Sequence, residues 1–360
     1  MPYQYLTIYF MSGTGNSYRA ATWMAEEAVA KGAEARVIPI EAGRPAAEVR
    51  DGADNLVGLV MPTHGFTAPW HMLRFVQRLP RRQGTHAFVV PVRGTLRTGP
   101  FFLPGFEGSA GYLPALVLAL KGYKVRGVQG LDMPASWTVV HSAMGADDVR
   151  VVLARGRAKV SRFMERILSG KTLFRGFPLL MGLALLPISI AYLLMGRFFF
   201  AKLFFASFRC NSCGLCARNC PVGAIRMQGN PPRPYWGFTC ESCMRCRSYC
   251  PEKAVEASYT LAVAFYYLTS IPAIVYLLDR LSGACLSRSY LNSGLVPWLL
   301  EYPFKLLAIY LAYLLFNQLV RIPALNRFFT YTTLTHYYAR YHEPATRLRD
   351  IVAKRETAGD

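Results

Sequence analysis

A repeated cysteine pattern constrains the fold of this chain more than any other feature. Between residues 210 and 251, two runs of the form C-x2-C-x2-C-x3-C-P contain Cys210, Cys213, Cys216 and Cys220, then Cys240, Cys243, Cys246 and Cys250. Thiolates at this spacing are typical ligands of cubane iron–sulfur clusters. Zinc sites favour separated C-x2-C pairs instead, and disulfides are uncommon in reducing compartments. The runs therefore predict two [4Fe–4S] clusters rather than a zinc or disulfide framework.

This part of the chain closely resembles the two-cluster bacterial ferredoxins. In their motif the first three cysteines of a run serve one cluster, and the fourth is displaced and binds the other cluster. The resemblance assigns Cys210, Cys213, Cys216 and Cys250 to a first cluster, and Cys240, Cys243, Cys246 and Cys220 to a second. The ninth cysteine, Cys285, is expected to have no role.

The composition of the 360 residues points toward a membrane. Hydrophobic residues make up 52% of the chain, the mean hydropathy is +0.20 and the formal net charge is +20. No nucleic-acid-reading motif accompanies the positive charge, so anionic lipid and acidic redox partners explain it better than nucleic acid does. Because cubane clusters are kept in reducing compartments, the cluster-binding part is expected to be cytoplasmic.

The N-terminal segment has the pattern of a strand, a turn and a helix. Residues 5–10 form a short apolar run and residues 18–30 an amphipathic one, and between them lie Ser12, Gly13, Thr14, Gly15, Asn16 and Ser17. Small and hydroxyl-bearing residues before a helix N-terminus favour a bound anion. The turn lacks the Gly-Lys-Ser/Thr of a Walker A loop, and Tyr18 replaces the third glycine of a dinucleotide fingerprint. A phosphate monoester held by neutral donors is therefore expected.

The same turn resembles the FMN phosphate loop of flavodoxins, and the resemblance extends over about residues 3–165. It implies an α/β flavodoxin-like doubly wound parallel sheet of order 2-1-3-4-5, with the ligand at the carboxyl ends of the strands. The strand candidates are 5–10, 35–40, 55–62, 86–92 and 124–130. The further helix candidates are 69–79, 111–121 and 146–168.

Two more loops are expected at the flavin edge. The first, 62–70, contains Thr63, His64, Gly65 and Phe66, and the second, 92–99, contains Arg93, Gly94, Thr95 and Arg97. In flavodoxins aromatic side chains usually flank the ring, but the second loop has none. One hypothesis is that its arginines favour the anionic reduced flavin. The alternative is that they face solvent or hold the phosphate.

Two hydrophobic regions are predicted to associate with the membrane. Within 171–207, residues 177–195 form an uncharged run of about membrane-spanning length, but basic residues flank both ends and give no direction of insertion. We interpret the run as monotopic or re-entrant, with a single crossing as the alternative. Residues 259–320 predict a transmembrane helical hairpin, and the arginine-rich tail 321–360 is expected in the cytoplasm. His336 and His342 are expected to line an interfacial helix rather than bind a metal or quinone.

The whole chain resembles the fused flavodoxin–ferredoxin electron-transfer proteins. Residues 1–170 would bind FMN, and residues 208–258 would form a small α+β two-cluster ferredoxin domain. The resemblance implies a carrier at the inner membrane, with its redox domains facing the cytoplasm, that exchanges electrons with a partner protein or quinone. We find no nucleophile with a paired base, so a carrier is favoured over a substrate-specific enzyme. Two alternatives are an empty flavodoxin fold used in redox sensing or assembly, and a flavin-dependent reductase acting directly on a substrate.

Overall fold

The computed structural model describes residues 2–42, 49–174, 176–270 and 295–352. Cys285 lies outside these residues, as do residues 271–294 of the expected hairpin and residues 353–360 of the tail.

A mixed sheet organises the N-terminal half of the chain. Its strands are β1 (Tyr5–Phe10), β2 (Glu34–Pro39), β3 (Asn55–Pro62), β4 (His86–Thr98), β5 (Phe101–Leu103), β6 (Lys124–Val128) and β7 (Leu131–Pro134). Strands β2, β1, β3 and β4 are parallel neighbours in that order. Strands β6 and β7 pair in parallel with successive parts of β4 and together fill the fifth position. The expected order 2-1-3-4-5 is thereby confirmed.

Helices cover both faces of this sheet. One face packs against α1 (Asn16–Val29) and α4 (Ala146–Leu168), and the other against α2 (Trp70–Arg78) and α3 (Tyr112–Leu120). The central strand β3 is buried along nearly its whole length, as its continuous apolar sequence predicts for a strand covered on both faces. The flavodoxin-like domain thus has two cores, one on each side of the sheet.

The prediction of a loop at 92–99 is wrong, because residues 92–98 continue strand β4. Residues Val92 to Thr95 pair with Leu131 to Pro134, and Leu96 to Thr98 then pair with the antiparallel strand β5. The residues expected to form a loop form a strand that is buried at Thr95 and exposed at Gly94. This extension moves Arg97 away from the position expected in a short flavin loop.

The first hydrophobic segment is helical but bent. It contains α5 (Gly176–Ala184), α6 (Leu186–Ala191), a π-helical turn (Tyr192–Gly196) and α7 (Arg197–Ala201). Among the described residues, no single helix combines the length and apolar composition needed to cross a bilayer. Two helix pairs reach these values only together, and they bend by 57° between Gly176–Ala184 and Leu186–Ala201 and by 114° between Tyr302–Leu319 and Pro323–Tyr331.

The cysteine-rich domain is a small α+β unit. Its elements are β8 (Phe204–Ala206), α8 (Leu215–Arg218), β9 (Ile225–Gln228), β10 (Arg233–Trp236), α9 (Arg245–Ser248) and β11 (Val255–Ala257). Strand β9 pairs with β10, and β8 pairs with β11, both antiparallel. Each of β9 and β11 begins shortly after a Cys-Pro turn, so the sequence repeat is also a structural repeat.

The C-terminal segments pack back onto both domains. They comprise α10 (Tyr259–Ser270), α11 (Leu295–Leu319), α12 (Pro323–Tyr331), a 3-10 turn (Leu334–His336) and α13 (Leu348–Ile351). Phe265, Ile309 and Tyr313 are fully buried against the cysteine-rich core, whereas Ile351 lies in the core beside α1 and α4. The described C-terminal segments, 259–270 and 295–352, therefore contact both domains, and we call residues 321–352 the C-terminal clasp. The transmembrane hairpin remains a prediction.

Candidate metal centre and anion-binding turn

The eight motif cysteines line two cavities. The first, about 530 Å³ including its open mouth, is lined by Cys210, Cys213, Cys216, Cys246 and Cys250. The second, about 310 Å³, is lined by Cys220, Cys240, Cys243 and Cys246. The fourth cysteine of each run therefore lines the cavity of the other run, which is the distribution that crossed ligation requires.

Equivalent residues of the two runs follow the same backbone path. Left-handed conformations recur in matching pairs: Ser212 and Ser242, Gly214 and Met244, Gly223 and Lys253. The backbone N–H of Ala224 donates to Cys220 Sγ at 3.3 Å, and that of Ala254 donates to Cys250 Sγ at the same distance. Positive φ values are uncommon outside glycine and are kept where the surroundings require them. Here they turn each run around its cavity.

Burial makes these thiols poor thiolates unless a metal binds them. Burial, with nearby thiolates adding to it, raises the pKa of Cys240 and Cys246 well above the usual range. It also raises the pKa of Cys216 to about 12 and that of Cys243 to about 11. A coordinated metal removes the proton from a thiol outright, because its charge compensates the thiolate. The donor set therefore fits a cationic group shared by several sulfurs.

The spacing of these donors differs from that of a mononuclear site. Within the described ranges, no three His, Cys, Asp or Glu side chains converge closely enough to hold one metal ion. A cubane binds each thiolate to a different iron, so its ligands stay farther apart than those around a single ion. Cys246 lines both cavities, and each cavity also has the cysteines of one crossed set, an arrangement compatible with such a cluster.

The predicted phosphate turn lies directly beneath the second cysteine run. A Cβ on Gly13 would fall 1.7 Å from the Cys243 carbonyl oxygen, so only glycine permits this approach. The Arg245 guanidinium donates to the Ser12 carbonyl at 2.8 Å and to the Glu41 carboxylate at 2.7 Å. The second cavity is thus placed against the carboxyl end of β1.

The C-terminal clasp covers the rest of this turn. The Glu343 backbone N–H donates to the Thr14 carbonyl at 2.7 Å, and the Glu343 carboxylate lies 3.1 Å from the Arg19 guanidinium. The Tyr341 hydroxyl donates to Asn16 Oδ1 at 2.7 Å. Helix α1 has no side-chain cap at its N-terminus, where the helix dipole favours negative charge. Glu343 therefore brings a buried carboxylate close to the end of the helix that would attract a phosphate.

In this arrangement the turn does not admit an FMN phosphate. Its residue types suit one, because hydroxyls and glycines surround an uncapped helix N-terminus. However, every residue from 11 to 17 is buried, including Ser12, Thr14 and Ser17. A turn that excludes water also excludes a phosphate group. The phosphate-binding role predicted for residues 12–17 therefore stays a prediction that requires the covering segments to move.

The first predicted flavin loop packs against the second cysteine run. The Glu241 carboxylate accepts a hydrogen bond from the His71 backbone N–H at 2.9 Å, and the Tyr192 ring covers Gly65. Phe66 has a left-handed backbone, and its carbonyl accepts a hydrogen bond from the Ser109 N–H at 2.8 Å. Among the described residues, the buried hydroxyls of Thr63 and Thr67 have no hydrogen-bond partner. His64 Nδ1 and Glu241 Oε2 also make no hydrogen bond there, but they lie 3.9 Å from each other. The loop predicted to contact the flavin ring thus retains polar groups that could form hydrogen bonds with a ligand.

The two arginines of the second predicted loop are paired with carboxylates. Arg93 donates to Glu107 at 2.6 Å and to Asp132 at 2.7 Å, and Arg97 donates to Asp148. Burial raises the pKa of Asp132, but hydrogen bonds and charge from Arg93 and Lys159 outweigh burial and hold this pKa below its usual value. Neighbouring Gly94 packs near Ala135, and Thr95 donates to Asp132. These pairs engage both guanidinium groups within the protein itself.

The histidines of the tail also pack against protein groups. His336 lies 2.6 Å from Nη2 of Arg209, and His342 stacks on Tyr249 with ring centroids 5.1 Å apart. Burial, followed by the charge of Arg209, lowers the pKa of His336. Both rings are therefore part of the packing between the tail and the cysteine-rich domain.

Comparison with known proteins agrees with this division. The model of the 4Fe-4S binding domain family matches residues 207–226, which include the first cysteine run. No curated protein matches the chain. The chain joins a flavodoxin-like domain to a ferredoxin-type 4Fe–4S binding domain.

Several solved structures are similar to part of this chain. The flavodoxin of Streptococcus pneumoniae TIGR4 is 17% identical with a TM-score of 0.31, covering 46% of this chain and 99% of its own. Flavodoxin 1 of Bacillus cereus is 22% identical with a TM-score of 0.29, covering 44% of this chain and 97% of its own. The flavodiiron protein of Giardia intestinalis is 16% identical with a TM-score of 0.30, covering 46% of this chain and 36% of its own. The observed strand order carries the flavodoxin-like assignment.

Sequence reasoning missed the side chains that join the domains. Arg245 stands inside the second cysteine run, where the first run has Leu215, and this difference between the repeats was the available signal. Glu343 and Lys202 carried no comparable signal. Their importance depends on which distant residues surround them.

Proposed function

We propose that this chain is an electron-transfer protein with two [4Fe–4S] clusters in crossed ligation. The supporting observation is that the fourth cysteine of each run lines the cavity of the other run. Such clusters, when bound, each carry one electron, and the chain contributes their order and surroundings.

The surroundings of the two cysteine sets suggest an inner and an outer site. The set containing Cys240 and Cys243 lies against the turn at the end of β1. Among the eight motif cysteines, all of which the structure describes, Cys213 alone is exposed. We therefore place exchange with an external partner, a redox protein or a quinone, at the outer set. The inner set would face the flavodoxin-like domain.

The flavodoxin-like domain supports two candidate roles. The buried turn and the Glu343 carboxylate favour a docking base for the inner cysteine run, as in an empty flavodoxin fold. The hydroxyls of Thr63 and Thr67, which have no hydrogen-bond partner among the described residues, favour a flavin that enters once the tail moves. In that second role the chain would link two-electron and one-electron carriers.

We also propose that membrane lipid covers the bent hydrophobic helices. Large apolar side chains on α5 and α6 are exposed, including Phe177 (70%), Leu180 (67%) and Leu183 (60%). More exposed apolar residues lie on α10 and α11, among them Val263, Leu311 and Leu315. Exposed apolar surface of this extent is typical of an interaction site. The 57° bend suits a segment that enters one leaflet and returns, keeping both redox domains on the cytoplasmic side.

Cofactor analysis tests the proposed function. The protein would be purified anaerobically in detergent, and iron, acid-labile sulfide and released flavin would be measured per chain. About eight iron and eight sulfide are expected for two cubanes. Iron far below this value in intact protein would contradict the proposal. Flavin retained by the wild type would favour the FMN-linked role over the docking role.

Crossed ligation can be tested with single cysteine variants. Cys220→Ala should alter the same electron paramagnetic resonance signal as Cys243→Ala, and Cys250→Ala the same signal as Cys213→Ala. Each pair shares one predicted cluster although its members belong to different runs. If Cys220→Ala instead matched Cys213→Ala, each run would hold its own cluster and the crossed assignment would be wrong.

A further inference from the structure

Lys202 is buried in a cage of aromatic rings beside the inner cysteine set. Its side chain is 1% exposed, and Nζ lies 4.3 Å from the ring centroid of Tyr313, 4.5 Å from Phe238 and 4.6 Å from Tyr235. The ammonium donates to the Trp236 carbonyl at 2.5 Å and to the Tyr235 hydroxyl at 3.3 Å. Cation–π contacts and two hydrogen bonds thus replace part of its hydration.

The other deeply buried cations differ from Lys202 in having acidic partners. Arg245 pairs with Glu41, and Arg247 pairs with Glu256, each at 2.7 Å. Across the described ranges, no Asp or Glu forms an ion pair with Lys202. A buried charge is costly unless an opposite charge compensates it. The surroundings of Lys202 therefore lack the anion that its burial calls for.

The inner cysteine set supplies an anion at the right place. Cys240 packs against the same hydrophobic cluster as Tyr235, Phe238 and Tyr313 of the cage. Phe204, two residues after Lys202, lines the inner cavity, and Phe238 of the cage precedes Cys240 by two residues. A cubane with four thiolates has a net negative charge, so it would complete the missing pair.

We propose that Lys202 is a positioning residue for the inner cluster, whose negative charge it balances from the aromatic cage. This inference rests on the proposed function. Reduction by an external one-electron donor adds one negative charge to the cluster without making or breaking a bond, and the proton stays on Lys202. A fixed positive charge stabilises this reduced state more than the oxidised state. Lys202 should therefore raise the midpoint potential of the inner cluster and leave the outer cluster nearly unchanged.

The test compares Lys202→Met, which keeps the length but removes the charge, with Lys202→Arg, which keeps the charge. Lys121→Met in the flavodoxin-like domain is the matched control. Iron and sulfide are measured first in the wild type, so that a failure of the proposed function is recognised separately. Both midpoint potentials are then followed by anaerobic titration with dithionite, monitored by electron paramagnetic resonance. The signal altered in Cys243→Ala identifies the inner cluster.

Lys202→Met should make reduction of the inner cluster at least about tenfold less favourable, a shift of about 59 mV for one electron. Lys202→Arg and Lys121→Met should shift neither potential comparably. Unchanged potentials in fully loaded Lys202→Met, or equal shifts of both clusters, would overturn the inference. If Lys202→Met lost the inner cluster while Lys202→Arg kept it, the requirement for charge would be supported at the level of assembly. Equal loss in both variants would indicate a role of shape alone and would also overturn it.

Discussion

At the scale of single residues, Arg245 brings together four separate parts of the chain. Its buried guanidinium donates to the carbonyls of Ser12, Asn219 and Ile351 and to the Glu41 carboxylate. These acceptors belong to the glycine-rich turn 12–17, the first cysteine run, the C-terminal helix and the segment after β2. The Arg245 side chain thus connects the second cysteine run to the flavodoxin-like domain.

Removing this side chain should destabilise the protein strongly. Arg245→Ala removes the guanidinium that donates to several buried carbonyls and breaks its ion pair with Glu41, and breaking a buried ion pair costs about 3–5 kcal/mol. Anaerobic urea unfolding would measure this loss. The control is Arg150→Ala, because Arg150 and its partner Asp147 are exposed and such pairs contribute about 0–1 kcal/mol. Similar losses in the two variants would show that Arg245 does not join the domains.

At the scale of elements, residues 341–346 act as a strap across the start of α1. Tyr341 contacts Asn16, Glu343 contacts Thr14 and Arg19, and the Thr346 hydroxyl donates to the Glu343 carboxylate. The strap supplies the negative charge that the end of this helix favours. Residues 12–17 are therefore covered by an element more than 320 residues away in the chain.

Weakening the strap should open the turn. Glu343→Gln keeps the shape of the side chain but removes its charge from Arg19 and the helix end, at a cost of about 1–2 kcal/mol. Backbone amides of residues 12–17 should then exchange with deuterium roughly tenfold faster, as measured by mass spectrometry. Asp350→Asn is the control, because Asp350 lies in the same tail but outside the strap. Exchange at 12–17 that matched the control would mean that Glu343 does not hold the turn closed.

At the scale of the whole molecule, α10 and α11 form a hydrophobic layer on the ferredoxin-type domain. One side of this layer packs in the core through Phe265, Tyr313 and Phe316, and the other side exposes leucine and tyrosine residues. Helix α6 instead contacts the flavodoxin-like domain, where the Ser189 hydroxyl donates to the Phe66 carbonyl at 2.9 Å. The basic chain would add electrostatic attraction to anionic lipid. The redox domains would then be held close to the bilayer surface.

This arrangement predicts stable binding to vesicles. The protein should sediment with vesicles containing phosphatidylglycerol and stay bound at high salt, since apolar burial is not screened. Leu180→Asp combined with Leu183→Asp should lower binding at least about tenfold, because each leucine contributes roughly 1.5–3 kcal/mol when buried. Val29→Asp, an exposed site on α1, should have no such effect. Release of the wild type by salt alone would contradict apolar insertion.

The sequence by itself determined the alternation of strands and helices and the spacing of the cysteines, and its resemblance to flavodoxins implied the sheet order. Alternation of apolar strands with amphipathic helices is a local pattern, and short connections leave few ways to assemble it. The cysteine spacing is also local, since the first three cysteines of each run lie within seven residues of chain. For these reasons β1, β3 and α4 were predicted within about two residues.

Only the tertiary structure decided what surrounds these elements. It extended β4 through Thr98, paired Arg93 with Glu107 and Asp132, and enclosed Lys202 in aromatic rings. It also placed Glu343 over a turn whose sequence favours a phosphate. Charge pairing, burial and access depend on residues that are distant in the chain and close in space. Local periodicity contains no information about such neighbours, because they are chosen by the packing of the complete molecule.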